Sequence, residues 1–568
     1  MPSEPRHAPF RMPERLFAEL AAGGGSAEAV AFLERAERAR RLLLLRTLLD
    51  RLGTLHTPLS PAAEAWDVLK EAAAAAPGPV DRLLLAPATG GWLAHALRRL
   101  HGTASGPPLW AEAGHLCALA VAASLHAGTR ADLKVPLTDG GLPLPGLGLA
   151  RLSGAEDGVT VAHARTSGGE LTLSGPGRDG GTVTVTIRPA TQPLPRPAPT
   201  ASDANPAWTP LRTLAHPTPA GTVAIPLEDL DPYRDLDDPL PPAPLDADEA
   251  EAWQRLFEEA VGLLAAPGGE GPGRFDPGAI RAVVPWGRTS TQPPAPPTVL
   301  VSATSGDSFA AMVIARPSCP LALAETLVHE FQHSKLAALL HLFPLLDDDR
   351  EERYYAPWRP DPRHLTGLLH GAYAFTGVAG FWRDRMAVAG DDEAADTAGY
   401  HFALRRLQSR LVVRTLLVEG RLTPQGRALV SGLARTLDGW LREPVPYAAL
   451  TRARTAAALH RTEWRLRNVA PPSAGSAGPR FRPDRTSWPD VRTHAFAARS
   501  VAPDTADERL AAGDAAAALA GYADELADDP AEPHALAGWI VARAVLDPGR
   551  TTRRMLARPE LLQPLPSG

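Results

Sequence analysis

Cysteine is nearly absent from this 568-residue chain, which carries only Cys117 and Cys319. The two stand in unrelated contexts, which excludes a disulfide framework and a Cys-rich zinc or iron–sulfur site. An excess of positive charge is also missing. With a net charge of -6 there is no general electrostatic reason to bind nucleic acid or an anionic membrane. No window reaches the run of 18 or so apolar residues that a membrane helix needs. The start, MPSEPRHAPFRMPERLF, lacks the apolar core of a signal peptide. The expected location is therefore cytoplasmic. Aromatics are few, at 6%, against plentiful Ala, Leu, Arg, Gly and Pro, a bias that reflects a GC-rich genome more than a function.

What is present is ordinary for a soluble globular protein, with 44% hydrophobic and 21% charged residues. The length exceeds what one hydrophobic core fills, so roughly two to four domains are expected. Residues 10 to 130 read as helices, because Leu16, Leu20, Val30, Phe32, Leu33, Leu42, Leu45 and Leu48 recur at largely helical intervals. Gly23-Gly24-Gly25 is one of the breaks between them. Segments at 158–162, 170–173 and 182–187 alternate in period two between glycine turns and predict a small antiparallel sheet. Proline is dense from Pro189 to Pro244, which reads as extended connection rather than packed structure.

Further helices are expected at 247–264, 320–343, 365–387, 393–419 and 423–442, with a hairpin formed by 299–303 and 309–315 ahead of the second. Pro- and Ser-rich sequence at 470–490 reads as linker. The tail from Asp504 to Leu546 reads as a helical hairpin. It has the look of one tetratricopeptide-type unit, but a solenoid needs about three, so a cap on the main body is the simpler reading. The resulting plan is a helical N-terminal region (1–130), a small β-rich segment with its Pro-rich connection (131–245), a metal-binding catalytic region (246–470), a linker (471–503) and a helical-hairpin tail (504–568). The expected class is α+β, predominantly helical, with a zincin-like metal helix beside a short β-hairpin.

The chemistry concentrates in His329-Glu330-Phe331-Gln332-His333. Residues four apart share one helix face, so His329 and His333 can direct imidazole nitrogens at one ion. Glu330 lies about 100° around the helix, within reach of a metal-bound water or a substrate. The surrounding Leu327, Val328, Phe331, Leu336, Leu339 and Leu340 are apolar, so a hydrated His–Glu–His face there would be costly without compensation. The opposing reading is a chance match on a solvated face. The hairpin just upstream weighs against it, since a strand edge beside the metal helix is how zinc peptidases present substrates.

A catalytic site needs a third ligand. A metzincin would place it six residues after His333, where Leu339 stands. Glu351 and Glu352 fall in the charged run Asp347-Asp348-Asp349-Arg350-Glu351-Glu352-Arg353, which reads as a solvated loop. His341 is more than two turns along the same helix, too far for one ion. His364 and His370 remain. His370, in the apolar run Leu368-Leu369-His370-Gly371-Ala372-Tyr373, is the choice.

Leu327 to Trp382 also resembles a known family. The residues are His329-Glu330-Phe331-Gln332-His333, Tyr355-Ala356-Pro357-Trp358-Arg359-Pro360-Asp361-Pro362-Arg363, Gly367-Leu368-Leu369-His370-Gly371-Ala372-Tyr373-Ala374-Phe375 and Phe381-Trp382. They are similar to the HExxH-motif putative peptide-modification family of ribosomal peptide natural-product clusters, associated with 2-oxoglutarate-dependent peptide β-hydroxylation. The resemblance implies non-haem Fe(II), 2-oxoglutarate and O₂, acting on a ribosomally made precursor peptide. Three protein ligands on iron leave three positions for the keto-acid and O₂. The far carboxylate of the keto-acid needs a cation, and Arg359 or Arg363 is expected to supply it. The opposing reading pairs these arginines with Asp361 or Asp384.

Three functions follow. The first is the Fe(II)/2-oxoglutarate peptide hydroxylase, in which Glu330 need not act as a base. The second is a zinc-dependent peptidase using Zn(II), with Glu330 as general base. The third is a non-catalytic peptide-binding module. Oligomeric state, leader-recognition surface and peptide identity are not encoded legibly.

Overall fold

The computed structural model describes residues 11–190, 206–218, 221–236, 238–265, 271–286, 302–471, 480–481, 494–497 and 502–562. Among these residues helix accounts for 56% and strand for 16%, so the fold is α+β and predominantly helical. It divides into two compact units. One comprises Ala27–Gly268 and Phe275–Leu342, the other Met1–Ser26, Gly269–Arg274 and Phe343–Gly568. The division falls at Leu342, inside the stretch 246–470 that reads as a single catalytic region in sequence. No helix among the described residues is long and apolar enough to cross a membrane.

The first unit is built on two sheets. Strands β1 (Ala131–Thr138), β2 (Gly141–Leu144), β3 (Gly148–Arg151), β4 (Val159–Ser167), β5 (Glu170–Pro176), β6 (Thr182–Ile187) and β7 (Trp208–Pro210) form an antiparallel sheet in the order β6-β5-β4-β1-β2-β3-β7. In β1 the residues Leu133, Val135 and Leu137 are buried in alternation with more exposed neighbours. That side packs on helix His115–Ala127. The helix is apolar on all sides and buried from His115 to Leu125, as a helix at the centre of a core must be. Helices Ala27–Leu52, Ala62–Ala75, Pro77–Leu85 and Pro87–Leu100 complete this layer, as the N-terminal periodicity predicts.

The second sheet is mixed. Strands β8 (Arg212–Thr218), β9 (Gly221–Leu227), β10 (Ala282–Pro285), β11 (Ser302–Ala303) and β12 (Ala311–Ile314) lie in the order β11-β12-β10-β9-β8. Its centre is parallel and both outer pairs are antiparallel. The β11–β12 pair is the expected hairpin, with Ser302 opposite Ile314 and Ala303 opposite Val313; 299–301 lie outside the described residues. Helices Ala247–Ala265 and Pro320–Leu342 pack beside this sheet.

Two sequence expectations are corrected here. The sheet is not small, because β1, β2, β3 and β7 join the three strands read from alternation. The proline-dense stretch is not mere connection either, since β7, β8 and β9 lie within it. Pro217 sits in β8 at the sheet edge, where a missing N–H costs no ladder bond.

The second unit is helical. Leu365–Ala387 runs against Asp392–Glu419, which packs on Pro424–Trp440 and Tyr447–Asn468. The last of these helices was not evident in sequence. It carries Arg452, His460, Glu463 and Arg467 at buried positions among Ala449, Ala453, Ala456 and Leu459, so charged residues interrupt its apolar stripe. Two glycines set close approaches. A Cβ on Gly380 would meet the Pro272 carbonyl at 2.0 Å, and one on Gly432 would meet the Ala21 carbonyl at 2.4 Å. The tail forms helices Ala506–Ala511, Ala515–Asp528, Pro533–Leu546 and Arg550–Ala557. Their apolar residues share a core with Leu459 and Tyr400, so the tail caps the helical unit. Most of the proposed 471–503 linker lies outside the described residues.

Candidate metal centre

The motif helix Pro320–Leu342 uses adjacent stripes for different ends. Glu330 and Ser334, one turn apart, fasten the hairpin. The Glu330 carboxylate accepts a hydrogen bond from the Thr304 hydroxyl at 2.6 Å and another from Ser302. The Ser334 hydroxyl accepts from the Ala310 N–H at 3.3 Å. Ala310 has φ +60°, a left-handed conformation that a residue with a Cβ adopts only when its surroundings enforce it. The Arg281 N–H, donating to the Ala310 carbonyl at 2.9 Å, holds it from the other side. The intervening loop is tied down through Asp307, which accepts from Arg40 at 2.8 Å and Arg98 at 3.2 Å.

The neighbouring stripe carries His329 and His333. Their Nε2 atoms face each other at 3.1 Å, with the rings near perpendicular at 78°. Two nitrogens at that distance either share a proton or flank one ion. For an ion about 2.1 Å from each, a 3.1 Å separation subtends roughly 95°, which suits adjacent positions on octahedral iron and is tolerable for tetrahedral zinc. Burial pushes His333 down to about 4, so near neutrality it is an uncharged imidazole, the form that ligates. Burial also pushes the Lys335 ammonium down to about 7.

Glu330 is only 1% exposed. Burial raises its pKa, and the hydrogen bonds from Ser302 and Thr304 pull it part of the way back. A buried carboxylate needs donors; the hydroxyls of Ser302 in β11 and of Thr304 just after it supply them. Sequence reading treated that loop only as a turn, although its density of Ser and Thr before a buried Glu was the available signal.

The other sequence candidates are distributed as follows. The Nδ1 of His341 is 2.7 Å from buried Glu37, which gives it a partner away from the pair. In the second unit, His364 caps helix Leu365–Ala387 and lies 2.7 Å from Asp348. Burial raises Asp348, but hydrogen bonds from Thr366, His364 and the Arg350 N–H outweigh it and hold the carboxyl well below its usual range. The charged run is therefore not wholly solvated: Asp348 is an internal anchor, while Glu351 and Glu352 are exposed.

His370 is half-buried on the same helix. Beside it, the Trp358 indole lies over Gly371, where a Cβ would come within 2.0 Å of the ring. The 355–363 segment is fixed by Gln408 donating to the Pro357 carbonyl at 2.6 Å and Asn468 donating to that of Pro360 at 2.8 Å. Tyr355 pairs with His460 at 2.9 Å. Arg359 and Arg363 both engage Asp361, at 2.8 and 3.3 Å, while Asp384 is taken by Arg274. Among the described residues no three His, Cys, Asp or Glu side chains are grouped so as to hold a metal ion. The pair His329–His333 is thus what the structure brings together, and it belongs to the first unit; His370, Arg359 and Arg363 belong to the second.

Comparison with protein-family models and with curated proteins gives no match for this chain.

Proposed function

We propose that the protein is a non-haem Fe(II)- and 2-oxoglutarate-dependent oxygenase that hydroxylates the β-carbon of a residue in a ribosomally synthesised precursor peptide. The observation that carries the metal is the 3.1 Å approach of His329 and His333 Nε2 on a largely buried helix. The resemblance of Leu327–Trp382 to the HExxH peptide-modification family carries the choice of iron. His329 and His333 would ligate it with His370 as the third ligand, in a zincin-like setting where β11 is the sheet edge next to the helix. Bound iron with 2-oxoglutarate and O₂ supplies one oxygen atom to the peptide and one to succinate.

The chain's own residues have definable tasks. Among the described residues β11 is the outermost strand of its sheet, an edge to which an extended peptide would add as a further strand. Arg359 or Arg363, exchanging Asp361 for the keto-acid carboxylate, would orient the co-substrate. Glu330 holds the hairpin against the motif helix through Thr304, which is a positioning task and requires no proton transfer.

The zinc peptidase is the second reading, favoured by one observation: the raised pKa of buried Glu330 suits a general base. In that reading the carboxylate must leave Thr304 to reach a water.

Anaerobic reconstitution with Fe(II), then admission of O₂ with 2-oxoglutarate, should give succinate and a gain of one oxygen on the cognate peptide. Peptide cleavage with Zn(II) and no keto-acid would overturn the hydroxylase. Neither product, with no metal retained, would leave the binding module.

A further inference from the structure

The first unit contains a second concave site. A cavity of about 400 Å³ opens among helices Leu109–Ala113 and His115–Ala127, strands β1–β3 and the prolines of 232–242. Its walls are largely apolar, with Ala111, Pro136, Leu142 and Leu240 among them, and Asp139 and Arg151 give them one charge of each sign. Its floor is polar and buried: Glu112, His115 and Tyr233 line it and are 1%, 6% and 7% exposed.

The arginines around this floor are mostly engaged by backbone carbonyls. Arg234 donates to the carbonyls of Asp231, Leu240 and Pro241. Arg99 donates to the Pro107 carbonyl at 2.9 Å and stands 3.4 Å from Glu112 Oε2, without a hydrogen bond to it. Five buried atoms here lack a hydrogen-bond partner among the described residues: the carboxylate oxygens Glu112 Oε2 and Asp231 Oδ2, the imidazole nitrogens His115 Nε2 and His95 Nε2, and one donor, Arg99 Nη1. Asp231 is 3% exposed, and its Oδ2 lies 4.0 Å from His115 Nε2, too far to bond. An unmatched buried carboxylate oxygen is destabilising, and a ligand that brings a donor removes that cost. The sign of the local field is consistent with this. After burial, the phenol of Tyr233 is raised by Glu112 and then Asp231, against a smaller lowering by Arg99, so carboxylates dominate at the floor.

We propose that this cavity binds a protonated amine carried on a compact apolar body. The ammonium supplies the missing donor at Glu112 and His115, which line the cavity, and Asp231, 4.0 Å from His115 Nε2, adds negative charge beside them. The apolar body lies against the prolines and leucines, within reach of the Tyr233 face. This site does not depend on the metal reading.

Three probes of one shape and different charge test it on the full-length protein by titration calorimetry: phenethylammonium, phenethyl alcohol and 3-phenylpropionate. The cation should bind and the other two should not. Asp231→Asn should weaken it roughly tenfold. Ala111→Trp, at a half-exposed position on the wall, should abolish binding and keeps the test open if the Asn variant does not fold. The tripeptide amide Phe-Gly-Gly carries the same ammonium and ring. Binding equal to phenethylammonium assigns a peptide N-terminus, and binding of the small amine alone assigns a free amine. Equal binding of all three charge types, preference for the carboxylate, no binding of any probe, or binding that survives Ala111→Trp would overturn the proposal.

Discussion

His333 in the first unit and His534 in the second occupy packed surroundings that drive them in opposite directions. Burial alone pushes His333 down to about 4. Burial also lowers His534, but hydrogen bonds with Asp507 and Glu463 outweigh it and carry the ring up to about 9. Its Nδ1 is 2.8 Å from Glu463 and its Nε2 3.0 Å from Asp507, so the protonated ring is a cation with both nitrogens committed. Glu463 also accepts from Arg467 at 2.6 Å. One histidine is kept neutral and turned toward a second imidazole; the other is a charged brace holding the tail to helix Tyr447–Asn468. Burial therefore does not mark a functional histidine. The identity of its neighbours does.

The largest effect that could break this contrast is on metal. His333→Ala or His329→Ala should end stoichiometric Fe(II) retention, lowering affinity by roughly a hundredfold or more, while His534→Gln should leave it intact. Metal analysis after desalting reads both. His370→Ala should match the first two variants, and stoichiometric iron retained in it would mean that another residue completes the site.

The next effect is on stability and lies in the second unit. The pKa of His534 is raised in the folded state, from an ordinary 6.5 to about 9. Its contribution is therefore fully present below pH 6.5 and is lost as pH rises through 9, amounting to at most about 3 kcal/mol. Urea midpoints for the full chain should fall over that window, and His534→Gln should flatten the fall. A midpoint equally pH-dependent in the variant would assign the slope to other groups.

A smaller effect separates two roles for Glu330. Thr304→Val removes a donor from a carboxylate that is 1% exposed and should cost about 1–3 kcal/mol. Glu330→Gln keeps the shape and one acceptor oxygen, its NH2 donating to a hydroxyl in place of accepting from it, and removes the base. The hydroxylase should retain most of its succinate formation in that variant, whereas a peptidase would lose cleavage.

How far these features could be read from sequence follows from their physical origin. The motif helix, the helix at 365–387 and the period-two strands were legible because local periodicity fixes them. The ends of the motif helix were legible for the same reason, from Pro320 and Pro344. Helix Tyr447–Asn468 was not, because its buried face carries Arg452, His460 and Glu463, whose partners lie far away in sequence. The strands at 208–227 were hidden by prolines, of which Pro210 and Pro217 lie in edge strands and Pro226 near the end of the inner strand β9. Of the site, the two histidines were legible from their spacing. The Ser302–Thr304 brace on Glu330 and the Asp348 cap on His364 were not, since both depend on chain segments meeting through tertiary structure.

The smallest expected effect concerns the two arginines near His370. Both engage Asp361, and Arg359 is 49% exposed where Arg363 is 30%, so as surface ion pairs they add at most about 1 kcal/mol each to stability. The guanidinium of Arg363 also lies over the first turn of the His370 helix: a Cβ on Gly367 would be 3.2 Å from its Nε. Arg363 is therefore better fixed than Arg359 to meet a carboxylate. Arg363→Ala should raise KM for 2-oxoglutarate roughly tenfold with little change in kcat, the mark of lost ground-state binding, and Arg359→Ala should raise it less. Asp361→Asn, which frees both guanidiniums, should lower KM. Unchanged KM in all three variants would return these arginines to the role of a surface pair.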